Sequence, residues 1–234
     1  MPAPWYRINA AAERAEVWLY GPIGRDPWTG DGVDATEFAQ ELAALNVSQL
    51  DVRIHSPGGY VDDGAAIFTA IDRHPARVTA YIDGLAASMA SVIPMAADEI
   101  VISPVAMVMI HQPWTISMGN AASMRQTADK LDSHAAAILS AYRRHMTADD
   151  AGIIAAMDAE TWYTAEQAVA AGLATRVAES AMPAAASLAA PRWLARMPAA
   201  AARFFASIEP PRREPKTVSE LAAHFINTPT QKDT

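Results

Sequence analysis

The chain has 234 residues, enough for one sizeable core and a tail, with 51% hydrophobic and 19% charged residues as in ordinary globular domains. A net charge of −8 argues against a phosphate-binding surface, and so against a nucleic-acid partner; with no cysteine, disulfides, thiolate metal sites and thiol nucleophiles are excluded. The start, MPAPWYRINA, lacks the charged-then-apolar layout of a secretory signal, and the longest apolar run, around 85–97, is broken by Ser88, Ser91 and Pro94, so a soluble, cytoplasmic protein without a membrane segment is expected.

In chain order, Glu16 to Tyr20 (EVWLY) predicts a first strand closed by Gly21-Pro22, and residues 25–32 a surface loop rich in Gly, Asp and Pro. Asp34 with Glu37 resembles a capping box opening a helix with Phe38, Leu42 and Leu45 on one face. A second strand, Leu50 to His55, ends in Ser56-Pro57-Gly58-Gly59. The paired glycines allow backbone N–H groups to turn toward a ligand, or simply make a strand–helix turn before the helix Asp63 to Arg73.

Val78 to Asp83 predicts a buried strand, and GLAASMAS at 84–91 the bend and helix start that follow it. Gly84 permits a sharp turn, and Ser88 falls near the first helical turn, where unpaired N–H groups and partial positive charge suit a nucleophile whose reaction develops an oxyanion. The plain alternative is a capping serine. Glu99 to Ile102 and Val105 to Ile110 predict two more strands, the second leading into His111-Gln112-Pro113. The alternation of strands and helices argues for an α/β protein with a largely parallel sheet.

A long amphipathic helix is predicted from about Ala121 to Met146, exposed enough to project as an interaction arm, then a short helix to Met157 and a last one from Ala165 to Ala171, stopped by Gly172. Residues 178–234, rich in Ala and Pro, are expected to be a mostly disordered tail with a short helix near 217–226, leaving 1–177 as the folded domain.

Acyl transfer needs a hydroxyl, a base, an acid that orients the base, and an oxyanion site. Ser88 offers the hydroxyl. Of the six histidines, His55 and His111 both end strands, where parallel-sheet proteins gather site residues, and spacing does not choose between them. His74, His134, His145 and His224 read as packing or solvated residues.

Four stretches in order, Ser56-Pro57-Gly58-Gly59, Gly84 to Met89, Met109 to Pro113 and Trp162 to Leu173, resemble the ClpP-type Clp peptidases, over roughly residues 15–177. The resemblance implies a ClpP/crotonase-like fold of repeated β-β-α units with a protruding handle helix. It implies Ser88 as nucleophile, His111 as general base, and oxyanion donors from the backbone N–H groups of Gly59 and Met89, with no cofactor or metal. The family's acidic third member aligns with Glu160, a glutamate in place of the usual aspartate, and Asp158 is the fallback. His55 stands where the family commonly has Asn. The amino-terminal loop and helix on which an unfoldase docks have no counterpart before the first predicted strand.

Val17 to Gly24 and Glu160 to Trp162 look most like the bacteriophage and prophage branch of head-maturation proteases. This implies a homo-oligomer of ring type, heptameric or double-ring, that cleaves phage scaffold, capsid or portal-neighbour proteins in host cytoplasm or prohead. The alternatives are a proteolytic subunit driven by a Clp ATPase and an inactive assembly module of the same fold. A crotonase-type hydratase is remote, because that chemistry relies on carboxylates and an acyl-CoA pocket.

Overall fold

The computed structural model describes residues 6–24 and 35–179. The predicted loop at 25–32, Asp34, His224 and the tail from residue 180 with its helix at 217–226 lie outside the described residues. A mixed sheet forms the centre. Its strands are β1 (Tyr6–Ala10), β2 (Arg14–Tyr20), β3 (Gln49–Ser56), β4 (Arg77–Ala87), β5 (Glu99–Ile102), β6 (Met107–Ile110), β7 (Thr161–Tyr163) and β8 (Arg176–Val177). The path runs β1-β2-β3-β4-β5-β8, and β6 and β7 branch from β4. Strands β2 to β5, β6 on β4 and β8 on β5 pair in parallel; β1 on β2 and β7 on β6 are antiparallel.

The helices are α1 (Ala35–Ala43), α2 (Val61–Asp72), α3 (Met89–Val92), α4 (Ala121–Tyr142), α5 (Asp150–Asp158) and α6 (Ala165–Ala171), with a 3-10 turn, Ile93–Ala96, after α3. Alternate strand residues explain the layering. Val17 and Leu19, Val52 and Ile54, and Val78, Ala80 and Ile82 are buried in one cluster with Phe38, Leu42, Ile67 and Ile71 of α1 and α2. Each such side chain, fully buried, contributes about 1.5–3 kcal/mol. The intervening Tyr20, Arg53 and Asp83 form a polar cluster instead: Arg53 Nη2 and Tyr20 Oη donate to the Asp83 carboxylate at 2.6 and 2.7 Å.

Three expectations need correction. EVWLY is not the first strand, since β1 precedes it. The central strand does not end at Gly84 but runs to Ala87, because β4 changes partner along its length: residues 79–82 pair with β5 and residues 85–87 with β6. Gly84 makes no bend there. A Cβ on it would lie 2.8 Å from His55 Nδ1, so the glycine makes room for the imidazole. The long helix ends at Tyr142 rather than Met146. Of its residues only Ile138, Ala141 and Tyr142 are buried, so its first four turns are without a covering layer among the described residues.

Candidate active site

Ser88 is the single residue between β4 and α3, with φ 54° and ψ −130°. A non-glycine residue rarely takes positive φ, and such a residue costs about 1–3 kcal/mol unless its surroundings fix it. The surroundings here do so. Ser88 N–H donates to the Met109 carbonyl at 2.9 Å, and the Ser88 carbonyl accepts from Ser91 N–H at 2.9 Å and Ser91 Oγ at 2.5 Å. The capping reading fails, because the Ser88 side chain makes no cap hydrogen bond. Its Oγ lies 2.7 Å from His111 Nε2 instead. In α/β-hydrolases a strained strand-to-helix elbow of this kind presents a nucleophilic serine.

Register explains why His111 arrives there. β6 runs parallel to β4 with Met109 opposite Ala87, so the residues just after each strand end meet. His55, the last residue but one of β3, lies on the other side, exposed, with its ring against Tyr20 at 5.6 Å between centroids. The structure thus brings Ser88 and His111 together and leaves His55 over Gly84.

The turn at 56–59 closes on the elbow. A Cβ on Gly58, at φ 94°, would lie 2.7 Å from both the Ala87 carbonyl oxygen and Ser88 Cβ, and 3.0 Å from Met89 N; only glycine permits this approach. Gly59 is equally tight, against the Ile23 carbonyl oxygen at 2.1 Å. Ser56 Oγ accepts from Gly58 N–H at 3.1 Å and fixes the turn. Among the described residues, neither Gly59 N–H nor Met89 N–H donates a hydrogen bond. Met89 heads α3, where an N–H has no intrahelical acceptor. Its side chain packs onto Gly64 of α2, where a Cβ would come 2.2 Å from Met89 Cγ.

The carboxylates stand differently. Asp158 accepts from Gln112 Nε2 at 2.8 Å. Glu160 is exposed, has φ 48°, and makes no side-chain hydrogen bond among the described residues, nor does His111 Nδ1. β7 runs antiparallel to β6 with Ile110 opposite Thr161 as the last pair, so His111 and Glu160 lie just beyond the same end of the ladder.

Of the other histidines, His134 Nδ1 lies 3.8 Å from Asp62, and His74 Nδ1 accepts from Ala76 N–H. Burial, and to a lesser degree the charge of Arg144, lowers the His145 pKa, while a hydrogen bond to the Met95 backbone opposes this. Among the described residues no group of three His, Asp or Glu side chains is placed to hold a metal, and no helix is long and apolar enough to cross a membrane.

Sequence reasoning missed Ser91 and Tyr142. Both are buried and hydrogen-bonded to each other at 2.7 Å directly beneath the elbow. The available signal was a tyrosine on the inward face of α4, whose hydroxyl needs a buried partner. A serine hydroxyl on an imidazole, followed in the chain by Met89 whose N–H makes no hydrogen bond among the described residues, is equipped for acyl transfer.

Comparison with known proteins shows what the chain is similar to. The family profile described as Clp protease matches residues 29–181. The "ATP-dependent Clp protease proteolytic subunit 1" of Protochlamydia amoebophila is 34% identical over 158 residues, covering 64% of this chain and 77% of that protein. Its namesake from Streptomyces avermitilis is 31% identical over 156 residues, 64% of this chain and 72% of the other. That of Chlamydia trachomatis serovar D is 36% identical over 152 residues, with 59% and 77% covered.

Proposed function

Because this chain belongs to the Clp protease family, we propose that it is a serine endopeptidase in which Ser88 is the nucleophile and His111 the general base. The observation that carries the reading is the 2.7 Å contact between Ser88 Oγ and His111 Nε2 at the end of a strained elbow. In the reaction, Ser88 Oγ adds to the scissile carbonyl carbon as His111 Nε2 takes its proton. The carbonyl oxygen becomes an oxyanion that accepts from Gly59 and Met89 N–H. Collapse breaks the C–N bond, and the leaving amine takes the proton from His111. Water then repeats the sequence on the acyl-serine, releasing the acid and restoring Ser88. Glu160, beyond the same ladder end as His111, rotates onto Nδ1 to orient the ring and stabilise the imidazolium.

Between the two settings for this peptidase, the relatives' names favour the proteolytic subunit of an ATP-dependent protease, which works with a Clp ATPase. The capsid-maturation reading is supported only by the likeness at 17–24 and 160–162. We take the subunit to act as a ring-type homo-oligomer in the cytoplasm, built of β-β-α units with α4 as the handle between subunits. The test is peptide and protein cleavage with and without a Clp unfoldase and ATP. The expected result is that short fluorogenic peptides are cleaved by the protein alone and a folded, degradation-tagged substrate only with both. Ser88→Ala should abolish both activities, by at least about 10³-fold. Equal peptide turnover by wild type and Ser88→Ala would refute the peptidase. ATP-independent cleavage of a phage scaffold protein, with no response to an unfoldase, would restore the capsid reading.

A further inference from the structure

Beneath the elbow runs a short buried chain of hydroxyls. Tyr142 Oη and Ser91 Oγ are 2.7 Å apart, Ser91 Oγ lies 2.5 Å from the Ser88 carbonyl oxygen, and Ser91 and Tyr142 are each 1% exposed. A carbonyl can only accept, so Ser91 donates its proton to Ser88 and must accept from Tyr142. Burial raises the Tyr142 pKa, so its hydroxyl keeps the proton to donate. With Ser91 N–H at 2.9 Å as well, both acceptor positions of the Ser88 carbonyl are filled.

The Ser88 carbonyl and the Met89 N–H belong to one planar peptide unit and point in opposite directions. Whatever holds the carbonyl therefore aims the N–H. We propose that Tyr142 and Ser91 are positioning residues for the oxyanion site: acting through the Ser88 carbonyl, they orient the Met89 N–H toward the oxygen of the tetrahedral intermediate. The inference rests on the reading of Ser88 as nucleophile. It links the last turn of α4 to the reacting atoms with neither Tyr142 nor Ser91 touching substrate.

The hydroxyls act in series, and this sets the test. Tyr142→Phe, Ser91→Ala and the double variant are compared with wild type in peptide turnover, in inhibition by a peptide boronate, which forms a tetrahedral adduct on the serine, and in thermal stability. Misaligning one oxyanion donor should lower kcat about 3–10-fold in Tyr142→Phe and about 10–30-fold in Ser91→Ala, less than the loss of a donor outright. KM should stay within about 2-fold, because the ground-state carbonyl gains little from the donor. Boronate affinity should weaken by the same factor as kcat. The double variant should be no slower than Ser91→Ala, since Tyr142 acts only through Ser91. It should also melt higher than Ser91→Ala, because removing both hydroxyls leaves no buried group unsatisfied.

Stability and activity thus separate: the double variant regains the first and not the second. Rate losses that multiply in the double variant, or a fall in melting temperature with kcat and boronate affinity unchanged, would overturn the proposal. Failure of the underlying reading looks different. Ser88→Ala would then turn over peptide as fast as wild type, whatever stands at 91 and 142.

Discussion

Ser88 holds a positive-φ conformation fixed by backbone bonds to Met109 and Ser91 rather than by a cap bond of its own, and such an elbow should cost the fold stability. Replacing it tests this. Ser88→Gly relaxes the positive φ, whereas Ser88→Ala keeps the strain while removing the hydroxyl, so the glycine variant should be more stable than the alanine one by about 1 kcal/mol in urea unfolding. Equal stability would mean that the elbow is unstrained. At the same scale the carboxylates divide. Glu160→Gln should lower kcat by at least about 10-fold, and Asp158→Asn, which alters only a contact to Gln112, by less than about 2-fold; the reverse order would move the orienting role to Asp158. Residue identity made Ser88 and the glycine pair legible in the sequence. Spacing did not choose His111 over His55, whereas the resemblance did, and in the fold the pairing of β6 with β4 brings His111 to the hydroxyl. Ser91 and Tyr142 left only one signal, a tyrosine on the inward face of α4, because a hydrogen bond across 51 positions leaves no local pattern.

Elements were legible in proportion to their apolar periodicity. β3, α2, α6 and the start of α4 follow directly from spacing, and Gly172 ends α6 at φ 81° as its position suggests. β1 and β8 were missed because they are held by strand pairing at the ends of the sheet rather than by a run of buried side chains. The extent of β4 was misread because glycine usually interrupts a strand, whereas here a neighbouring imidazole fills the missing side chain's place. The notch at Gly64 gives a prediction of this scale. Gly64→Ala forces Met89 out of its seat on α2, and should cost about 1–3 kcal/mol and lower kcat without a matching rise in KM. Unchanged kcat would separate Met89's packing from its N–H. A second concerns the segment after α4. The pKa of His145 is lowered from 6.5, chiefly by burial. The unfolded chain therefore takes up a proton at a pH where the folded chain does not. Its contribution to stability is present above about pH 6.5 and is lost as pH falls through the lowered folded value. His145→Gln should flatten that acid slope in urea titrations between pH 7 and pH 5; an unchanged slope would assign it to other groups.

At the scale of the whole molecule, the segment between β6 and α4 is a strongly exposed apolar stretch among the described residues: Trp114, Ile116 and Met118 are 71%, 85% and 91% exposed. It leads directly into the uncovered turns of α4, and an assembly of subunits would give both a partner. Single apolar side chains on a surface need no explanation, but three at alternate positions of the segment that follows His111 do. The ring reading predicts that peptide turnover per subunit rises with protein concentration and that Trp114→Arg shifts sedimentation toward smaller species with a parallel loss of turnover. A monomer with full turnover would contradict it. The fold class was legible from the strand–helix alternation, but the branch of β6 and β7 from β4 was not, and that branch builds the site. The most direct test of the central claim is fluorophosphonate labelling of the full chain with mass mapping of the modified residue. The account predicts a single adduct on Ser88 that is lost in Ser88→Ala and strongly slowed in His111→Ala. Labelling elsewhere, or labelling of Ser88 unaffected by the loss of His111, would contradict it.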